Sequence, residues 1–216
     1  MFKKLRISLI YSNLVVIKTL NSNHRMHNLY ANFVRILEVC KRFSQDLVND
    51  KGNVPRCGVV PRFSDLEVIA LSLTEETMGY DSECYLFSQL EDYCSKLPHL
   101  ISRRQYNDRR KYTAALCEKI RKRVAESLDG GEDVFIIDSK PVKVCQPFHK
   151  PFAKARKRLE TNFSQFTDQF NNMRNYAKDY RGFFTRIISK VSAFTVSQYI
   201  NKINDKPIGR IKYALA

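Results

Sequence analysis

The apolar residues of the chain recur mainly at helical spacing. Between residues 29 and 48 they stand three or four positions apart, which predicts an amphipathic helix with one buried face. Glycines and prolines interrupt residues 49 to 62, so a loop is predicted there. Further helical patterns follow at residues 82 to 94, about 158 to 176 and 182 to 201. The residues expected to be buried on the last two helices are Leu159, Phe163, Phe166, Phe170, Phe183, Ile187, Val191, Phe194 and Tyr199.

Two capping boxes mark where other helices begin. Ser64 stands three residues before Glu67, and Ser102 stands three residues before Gln105. In such a box the serine side chain and the side chain of the third helical residue each satisfy a backbone N–H of the other. The two boxes predict helices from residue 65 to about 78 and from residue 103 to about 128.

One stretch departs from the helical period. Residues 134–138, VFIID, are rich in β-formers and predict a buried strand, and VKVC at 142–145 predicts another. Asp138 would be held rigidly at the end of the first strand, and with two further acids it could bind Mg²⁺ for phosphodiester chemistry. Because Ser139 and Pro141 follow it, Asp138 also fits a turn former, and the residue pattern leaves both roles open.

The charge balance indicates a polyanionic partner. Lys and Arg number 37 against 22 Asp and Glu, which gives a net charge of +15 and a pI near 9.6. From residue 146 onward, 14 Lys and Arg stand against 4 Asp and Glu, so most of the excess lies in the last third. Nucleic acid is the leading partner, and an anionic membrane surface is the rival.

The start of the long helix, SRRQYNDRRKY, interleaves basic residues with tyrosines. Basic residues near a helix N-terminus can contact DNA phosphates beside the free backbone N–H groups, and they can equally form a solvated charged face. The candidate DNA-binding residues of this segment are Arg103, Arg104, Arg109, Arg110 and Lys111.

The sequence gives little support for disulfides, a structural metal site, nucleotide-driven or acyl-transfer reactions, or a targeting signal. The six cysteines form no CxxC pair and no zinc-finger cluster, which favours reduced thiols of an intracellular protein over disulfides or a structural metal. No P-loop or GxSxG motif is present, so nucleotide-driven and acyl-transfer reactions are unsupported. Residues 1–25 have the basic start and apolar body of a targeting signal, but polar residues interrupt the apolar run.

The order of three motifs adds a further signal. FSDLEVIALSLTEETMGYDSECYLFSQL, continuing to LISRRQYNDRRK, is followed by VFIIDSKPVKVC and later by KRLETNFSQFTDQFNNMRNYAKDYRGFFTRIISKVSAFTVSQYIN. Over nearly all of residues 26–216, the chain resembles the bacterial insertion-sequence transposases of the IS982 family. The resemblance implies a helical N-terminal DNA-binding part and an RNase H-like DDE domain. Such a domain uses Mg²⁺ or Mn²⁺ to cut and rejoin DNA at the ends of the element.

The resemblance also assigns roles to single residues. IIDSKPV matches the motif of the first catalytic aspartate, which makes it Asp138, and RKRLETNFSQF looks like the helix of the catalytic glutamate, which makes it Glu160. These two acids are accordingly the expected Mg²⁺ ligands. Arg156 and Arg158 are expected to contact DNA beside them.

The chain departs from the family between the two acids. Only 22 positions separate Asp138 from Glu160, and no Asp or Glu lies between them, so the second catalytic aspartate is absent. A strand takes about 5–6 residues and a connection about 4–6, which leaves room for one or two strands. Asp168 lies about 80° around the same predicted helix from Glu160 and is not a replacement. We interpret the gap as an internal deletion in the catalytic domain and expect strand cleavage to be lost.

The sequence therefore predicts a mainly α fold with a small β remnant, in which a helical N-terminal bundle precedes an incomplete RNase H-like domain. The family's opening residues resemble MHNLYANF, which makes residues 1–25 an expected non-native extension before Met26. Residues 26–130 are the predicted helical DNA-binding region, and residues 131–216 are the truncated catalytic domain with basic C-terminal helices.

The expected partner is DNA at the ends of the insertion sequence, in the cytoplasm at the nucleoid, with no membrane involved. A homo-oligomer or pairing with an intact transposase is also expected. Two alternatives remain at this stage. One is a DNA-binding or inhibitory transposase fragment without enzymatic activity, and the other is a basic helical protein that binds an anionic membrane through residues 1–25.

Overall fold

The structure, a computed structural model, describes residues 28–129, 149–171 and 177–215. Six α-helices and two short 3₁₀ helices make up this part of the chain, so the prediction of a mainly α fold is confirmed. The α-helices are α1 Leu29–Arg42, α2 Asp65–Thr77, α3 Glu83–Leu90, α4 Arg103–Leu128, α5 His149–Asp168 and α6 Tyr180–Ile203. The 3₁₀ helices are Glu91–Tyr93 and Ile211–Ala214. The strands predicted at 134–138 and 142–145 lie outside the described residues.

Both predicted capping boxes are present at the starts of α2 and α4. The Ser64 hydroxyl accepts from the backbone N–H of Glu67 at 3.2 Å, and the Glu67 carboxylate accepts from the backbone N–H of Ser64 at 2.6 Å. Ser102 and Gln105 form the same reciprocal pair at 3.3 and 3.1 Å. Each box satisfies N–H groups that have no partner within the helix, which is why these two helices begin where predicted. Gly79, with φ +68°, follows α2 in the left-handed conformation that commonly ends a helix.

Helix α1 is shorter than predicted, because it ends at Arg42 and the apolar pattern continues to residue 48. The Ser44 hydroxyl donates to the backbone carbonyl of Cys40 at 2.7 Å, an alternative partner for a carbonyl in the last turn. Arg123 of α4 donates to the carbonyl of Phe43 at 3.1 Å. The apolar side chains beyond α1 still pack against the core, but from a series of turns.

Helix α2 lies at the centre of the bundle. All of its residues except Glu67 are buried, and it packs against α1, α4 and α6. Helix α6 packs most extensively against α4 and is buried on nearly all sides in its second half. The apolar core accordingly joins residues from both sides of position 130 in a single cluster. The core of the described chain therefore includes residues on both sides of the predicted boundary at residue 130, and the division itself stays a prediction.

The buried face of α6 differs from the predicted one. Phe183 is 44% exposed, whereas Ser189 and Ser192 are buried. The hydroxyls of Ser189 and Ser72 lie 3.0 Å apart across the contact with α2, so small polar residues line this helix pair. Burial of Phe194 and Tyr199 is confirmed.

Helix α5 is anchored mainly by its C-terminal end. Phe170, just beyond the helix, is 1% exposed, and its ring and that of Phe166 pack against Phe194. Phe163, one turn earlier than Phe166, is 58% exposed, so the prediction that it is buried is wrong. The described side chains of α5 before Phe166 face solvent or are half-buried.

The C-terminal residues were predicted as a basic tail, but part of them packs against the bundle. Ile211 and Ala214 of the last 3₁₀ helix are buried against α6. Arg35 of α1 donates to the backbone carbonyl of Ala214 at 2.9 Å. This short helix therefore joins α1 to the end of α6.

Candidate nucleic-acid interface

The five basic residues at the start of α4 have different environments. Arg103 and Arg104, in the first turn, are exposed, and one Nη of Arg103 lies 2.7 Å from the Sγ of Cys84. Lys111 pairs with Asp179 at the start of α6, with 3.1 Å between Nζ and Oδ2. Two of these five candidate residues are therefore open to solvent, while Lys111 is half-buried in an ion pair.

Arg109 belongs to an internal ion-pair cluster centred on Asp65. Its guanidinium lies 2.6 Å from the Asp65 carboxylate and donates to the backbone carbonyl of Phe63 at 2.5 Å. Arg56 pairs with the other oxygen of Asp65, which also accepts from the backbone N–H of Val54 at 3.0 Å. Burial opposes ionisation of Asp65, but the hydrogen bonds from Arg56 and Arg109 outweigh it and lower the pKa of this carboxyl. Through its contacts with Asp65 and the carbonyl of Phe63, Arg109 thus connects α4 to the start of α2 and the loop before it.

Arg110 is 4% exposed and lies in a second buried cluster. Its Nη1 donates to Glu75 at 2.9 Å, and the same Glu75 oxygen accepts from the hydroxyl of Tyr106 at 2.8 Å. Glu76, the next residue of α2, pairs with Lys190 of α6 at 2.9 Å. In this conformation the guanidinium of Arg110 is enclosed by carboxylates and is not on the surface that DNA would contact.

The environment of the buried cluster shifts the pKa values of Glu75 and Tyr106. Burial raises the pKa of Glu75 to about 7, because the charge of Arg110 only partly offsets the loss of water. The carboxylates of Glu76 and Glu83 raise it further. Burial together with the charge of Glu75 also raises the pKa of Tyr106 well above its ordinary value. The Glu75 carboxyl therefore titrates near neutral pH.

A cleft of about 600 Å³, lined mainly by charged and polar residues, opens beside this cluster, where α3, α4 and α6 all begin. Five basic and three acidic side chains line it, an excess of two positive charges. The basic residues are Arg103, Arg110, Lys111, Lys178 and Arg186. The acidic residues are Asp81, Glu83 and Asp179. Arg103 begins α4 and Lys178 stands just before α6, whereas the other three basic side chains reach the cleft from the second or third turn of these helices.

The acidic side chains of the cleft accept hydrogen bonds from neighbouring groups of the protein. Asp179 caps α6 by accepting from the backbone N–H of Gly182 at 2.5 Å, and this cap together with Lys111 lowers the pKa of its carboxyl. Glu83 accepts from the side-chain amide of Asn107 at 2.7 Å. Asp81 accepts a hydrogen bond from the side-chain amide of Asn171. These carboxylates therefore organise the walls of the cleft.

The residues expected to form the catalytic site are only partly described. Asp138 lies outside the described residues, and so does the side chain of Arg156. Glu160 and Arg158 are exposed on α5. Asp168, at the end of the same helix, accepts from the Ser164 hydroxyl at 2.8 Å.

The expected metal site can be tested only through Glu160. Within residues 28–129, 149–171 and 177–215 there is no group of three His, Cys, Asp or Glu residues that could hold a metal ion. Glu160 supplies one carboxylate, whereas a site for two Mg²⁺ ions needs several acids that share the ions. Asp138, the other expected ligand, lies outside the described residues, so the Mg²⁺ site stays a prediction.

Five of the cysteines are described, and all five are free thiols. Cys40 and Cys117 are buried in the core, whereas Cys57, Cys84 and Cys94 are exposed. Burial raises the pKa of the Cys117 thiol to about 11, and Cys117 donates to the hydroxyl of Ser192 at 3.4 Å. The two core cysteines thus act as packing residues.

The sequence contained a signal for the buried cluster that the prediction did not use. Beyond the first turn of α2, Glu75 and Glu76 interrupt a run of apolar and hydroxyl-bearing residues, and adjacent buried acids are expected to have buried cationic partners. Lys178 and Arg186, by contrast, lie within the last of the three motifs but were not among the candidate DNA-binding residues. Their contribution to the cleft depends on the meeting of α6 with α3 and α4.

No protein-family model, no curated protein and no solved structure matches the chain. Among the helices that the structure describes, none combines the length and apolar character that a membrane-spanning segment requires.

Proposed function

We propose that the chain binds DNA as a transposase-derived protein of the IS982 type that recognises the ends of an insertion sequence. The observation that supports this proposal is the charge excess of +15, most of it after residue 145. Neutralising DNA phosphates releases condensed counterions, so a protein with this excess gains affinity for duplex DNA without any base contact. The motif order described above supplies the link to element ends.

The proposed DNA contacts are the basic residues that the bundle leaves accessible. Arg104 at the start of α4 and Arg158 on α5 are exposed, and Arg103 lies at the rim of the cleft. Arg109 and Arg110 stabilise the bundle through their carboxylate partners and are not part of the proposed interface. Contact between Arg156 and DNA stays a prediction.

We propose further that this chain does not cleave DNA efficiently. Asp138 and Glu160 are two of the three acids that the resemblance requires, and the sequence between them contains no third. Metal-dependent cleavage requires ligands held to within about 0.5 Å, so an incomplete acid set is expected to abolish turnover. Binding of DNA ends without cleavage would make the protein a competitor of an intact transposase, or a partner in a mixed oligomer.

Electrophoretic mobility shifts test the DNA-binding proposal. The full chain should bind duplexes carrying the terminal repeats of the element more tightly than scrambled duplexes. Binding should weaken steeply between about 50 and about 200 mM salt. Arg104→Ala and Arg158→Ala should each reduce the slope of log affinity against log salt by about one. Lys41→Ala, at an exposed position of α1, is the matched control.

Two outcomes would contradict this proposal. Binding that does not change with salt would exclude phosphate neutralisation as its source. Equal affinity for terminal-repeat and scrambled duplexes would show that the protein binds DNA but does not recognise the ends of the element.

A cleavage assay tests the inactivity separately. Supercoiled plasmid carrying two element ends is incubated with the protein and Mg²⁺ or Mn²⁺, and nicked or linear products are measured. We expect no products above those of the Asp138→Ala variant. Efficient cutting that disappears in Asp138→Ala would show that the catalytic centre is complete.

A further inference from the structure

Three exposed aromatic side chains stand together at the start of α6 and form what we call its aromatic face. Tyr180 is 78% exposed, Phe184 is 49% exposed and Phe183 is 44% exposed. The rings of Tyr180 and Phe184 are nearly parallel, at 16°, with 6.1 Å between their centroids. Phe183 is three positions from Tyr180 and is therefore also its neighbour on the helix surface. Single exposed apolar residues are common, but a contiguous group of them marks an interaction site.

The aromatic face is held in place by a helix that packs through other side chains. Thr185 is 5% exposed and Ile188 is 6% exposed, so the same turns of α6 are anchored to the bundle by a different face. None of the three rings belongs to the apolar core of the described chain. The rings are therefore presented to solvent on a fixed support, and the fold does not depend on them.

Cations border the aromatic face. Residues 178–186, KDYRGFFTR, include three basic residues and one acid. Lys178 and Arg181 are exposed, whereas the acid, Asp179, pairs with Lys111 of α4 at 3.1 Å. Two copies of this face would bring like charges together, which disfavours a second copy of the chain as its partner. The surface is instead complementary to an anionic partner that offers flat rings.

We propose that the aromatic face of α6 stacks on the unpaired bases of single-stranded DNA, while Lys178 and Arg181 contact its phosphates. The inference rests on the proposed DNA binding and names unpaired nucleotides as the part of the DNA that α6 contacts. The faces of bases within a duplex are covered by their neighbours, so exposed protein rings stack on bases only where a strand is unpaired. Proteins that bind single strands combine aromatic side chains with a positively charged surface along the backbone.

Oligonucleotides with and without bases test the stacking. The full chain is titrated with a fluorescently labelled single strand of thymidines and with an abasic strand of the same length and the same number of phosphates. The strand with bases should bind about ten-fold more tightly, because stacking of one base contributes roughly this factor. Tyr180→Leu combined with Phe184→Leu keeps apolar side chains but removes both rings, and it should abolish the preference. Phe184→Tyr keeps the ring and should retain the preference.

Two further variants assign the effect to the aromatic face. Phe163→Leu removes a ring that is 58% exposed on α5, and it should leave the preference for bases unchanged. The chain contains no tryptophan, so Tyr180→Trp introduces a single indole fluorophore. Its emission should be quenched by the thymidine strand and not by the abasic strand. The double leucine variant should melt at the temperature of the wild type, because neither ring belongs to the core.

The failures of the two proposals are distinguishable. Equal affinity for the thymidine and abasic strands, with salt-dependent binding of duplex DNA retained, would overturn the stacking and leave the proposed DNA binding intact. A preference for bases that persists in the double leucine variant would also overturn the inference, because the bases would then stack elsewhere. Absence of all DNA binding would overturn both proposals.

The other possible occupants of the aromatic face give different results. Binding to phosphatidylserine vesicles that the double leucine variant retains, without any preference for bases, would assign the face to a membrane and overturn the inference. Self-association that the double leucine variant weakens, again without a preference for bases, would assign the face to a second copy of the chain and overturn it too.

Discussion

Glu75 shows how the environment of a single residue affects the stability of this bundle. Its ordinary pKa of 4.5 rises to about 7 in the folded protein, mainly because the carboxyl is buried. The folded state therefore binds the proton of Glu75 more tightly than the unfolded state does. The resulting stabilisation is complete below about pH 4.5 and is lost as pH rises through about 7.

Glu75→Gln should remove this pH dependence. The free energy of unfolding of the variant minus that of the wild type should rise by up to about 3 kcal/mol between about pH 5 and about pH 8. Urea unfolding at a series of pH values measures this difference. Glu38→Gln, at an exposed position of α1, should give a difference that does not change with pH. A flat profile for Glu75→Gln would show that Glu75 is ionised throughout this range.

Asp65→Ala should be among the most destabilising substitutions of a charged residue. It removes the carboxylate that neutralises Arg109 and Arg56 and that accepts from the backbone of the preceding loop. Removing one partner of a buried ion pair costs about 3–5 kcal/mol, and partial exposure of the two arginines places the expected loss near 3. Urea unfolding measures the loss.

Asp46→Ala is the matched control for this cluster. It breaks an ion pair with Arg123 in which the Asp46 side chain is largely exposed, so the unfolding midpoint should stay close to that of the wild type. Equal effects of the two substitutions would show that the Asp65 cluster contributes no more than a surface pair.

At the scale of elements, the attachment of α5 depends on the end of the helix. Phe170→Ala removes a fully buried ring from the contact with Phe194 and should cost about 3–5 kcal/mol. Limited proteolysis should then cut α5 faster than in the wild type. Phe163→Ala, on the exposed side of the same helix, should change neither stability nor proteolysis. Equal destabilisation by both variants would mean that α5 packs through another face.

The elements differ in how well their bounds follow from the sequence. Helices α2 and α4 begin at the predicted residues because a capping box acts within four positions. Helix α1 stops before its apolar pattern does, and at its end the Ser44 hydroxyl binds the carbonyl of Cys40 while Arg123, from a distant part of the chain, binds the carbonyl of Phe43. The face of α6 was predicted incorrectly at Phe183, because its contact with α2 uses serines that hydrophobic periodicity does not detect.

For the whole molecule, the shared core makes a definite prediction about truncation. A chain of residues 26–130 lacks α6, which covers the central helix α2 and packs along α4. Its buried apolar faces would be exposed to water, so it should melt without cooperativity and bind a hydrophobic dye. A chain of residues 26–216 retains every helix of the described core and should melt as the full chain does. Cooperative melting of residues 26–130 would show that the first four helices fold independently.

The sequence alone determined the local and the additive properties of this protein. Helix starts, mainly helical composition and net charge follow from neighbouring residues or from a simple count. The accessibility of each cation required the tertiary structure. Arg104 and Arg110 lie on one helix within a single basic motif, yet one is exposed and the other is enclosed by carboxylates of α2 and α3. The cleft likewise exists only because three helices begin at the same place, and no local pattern encodes that meeting.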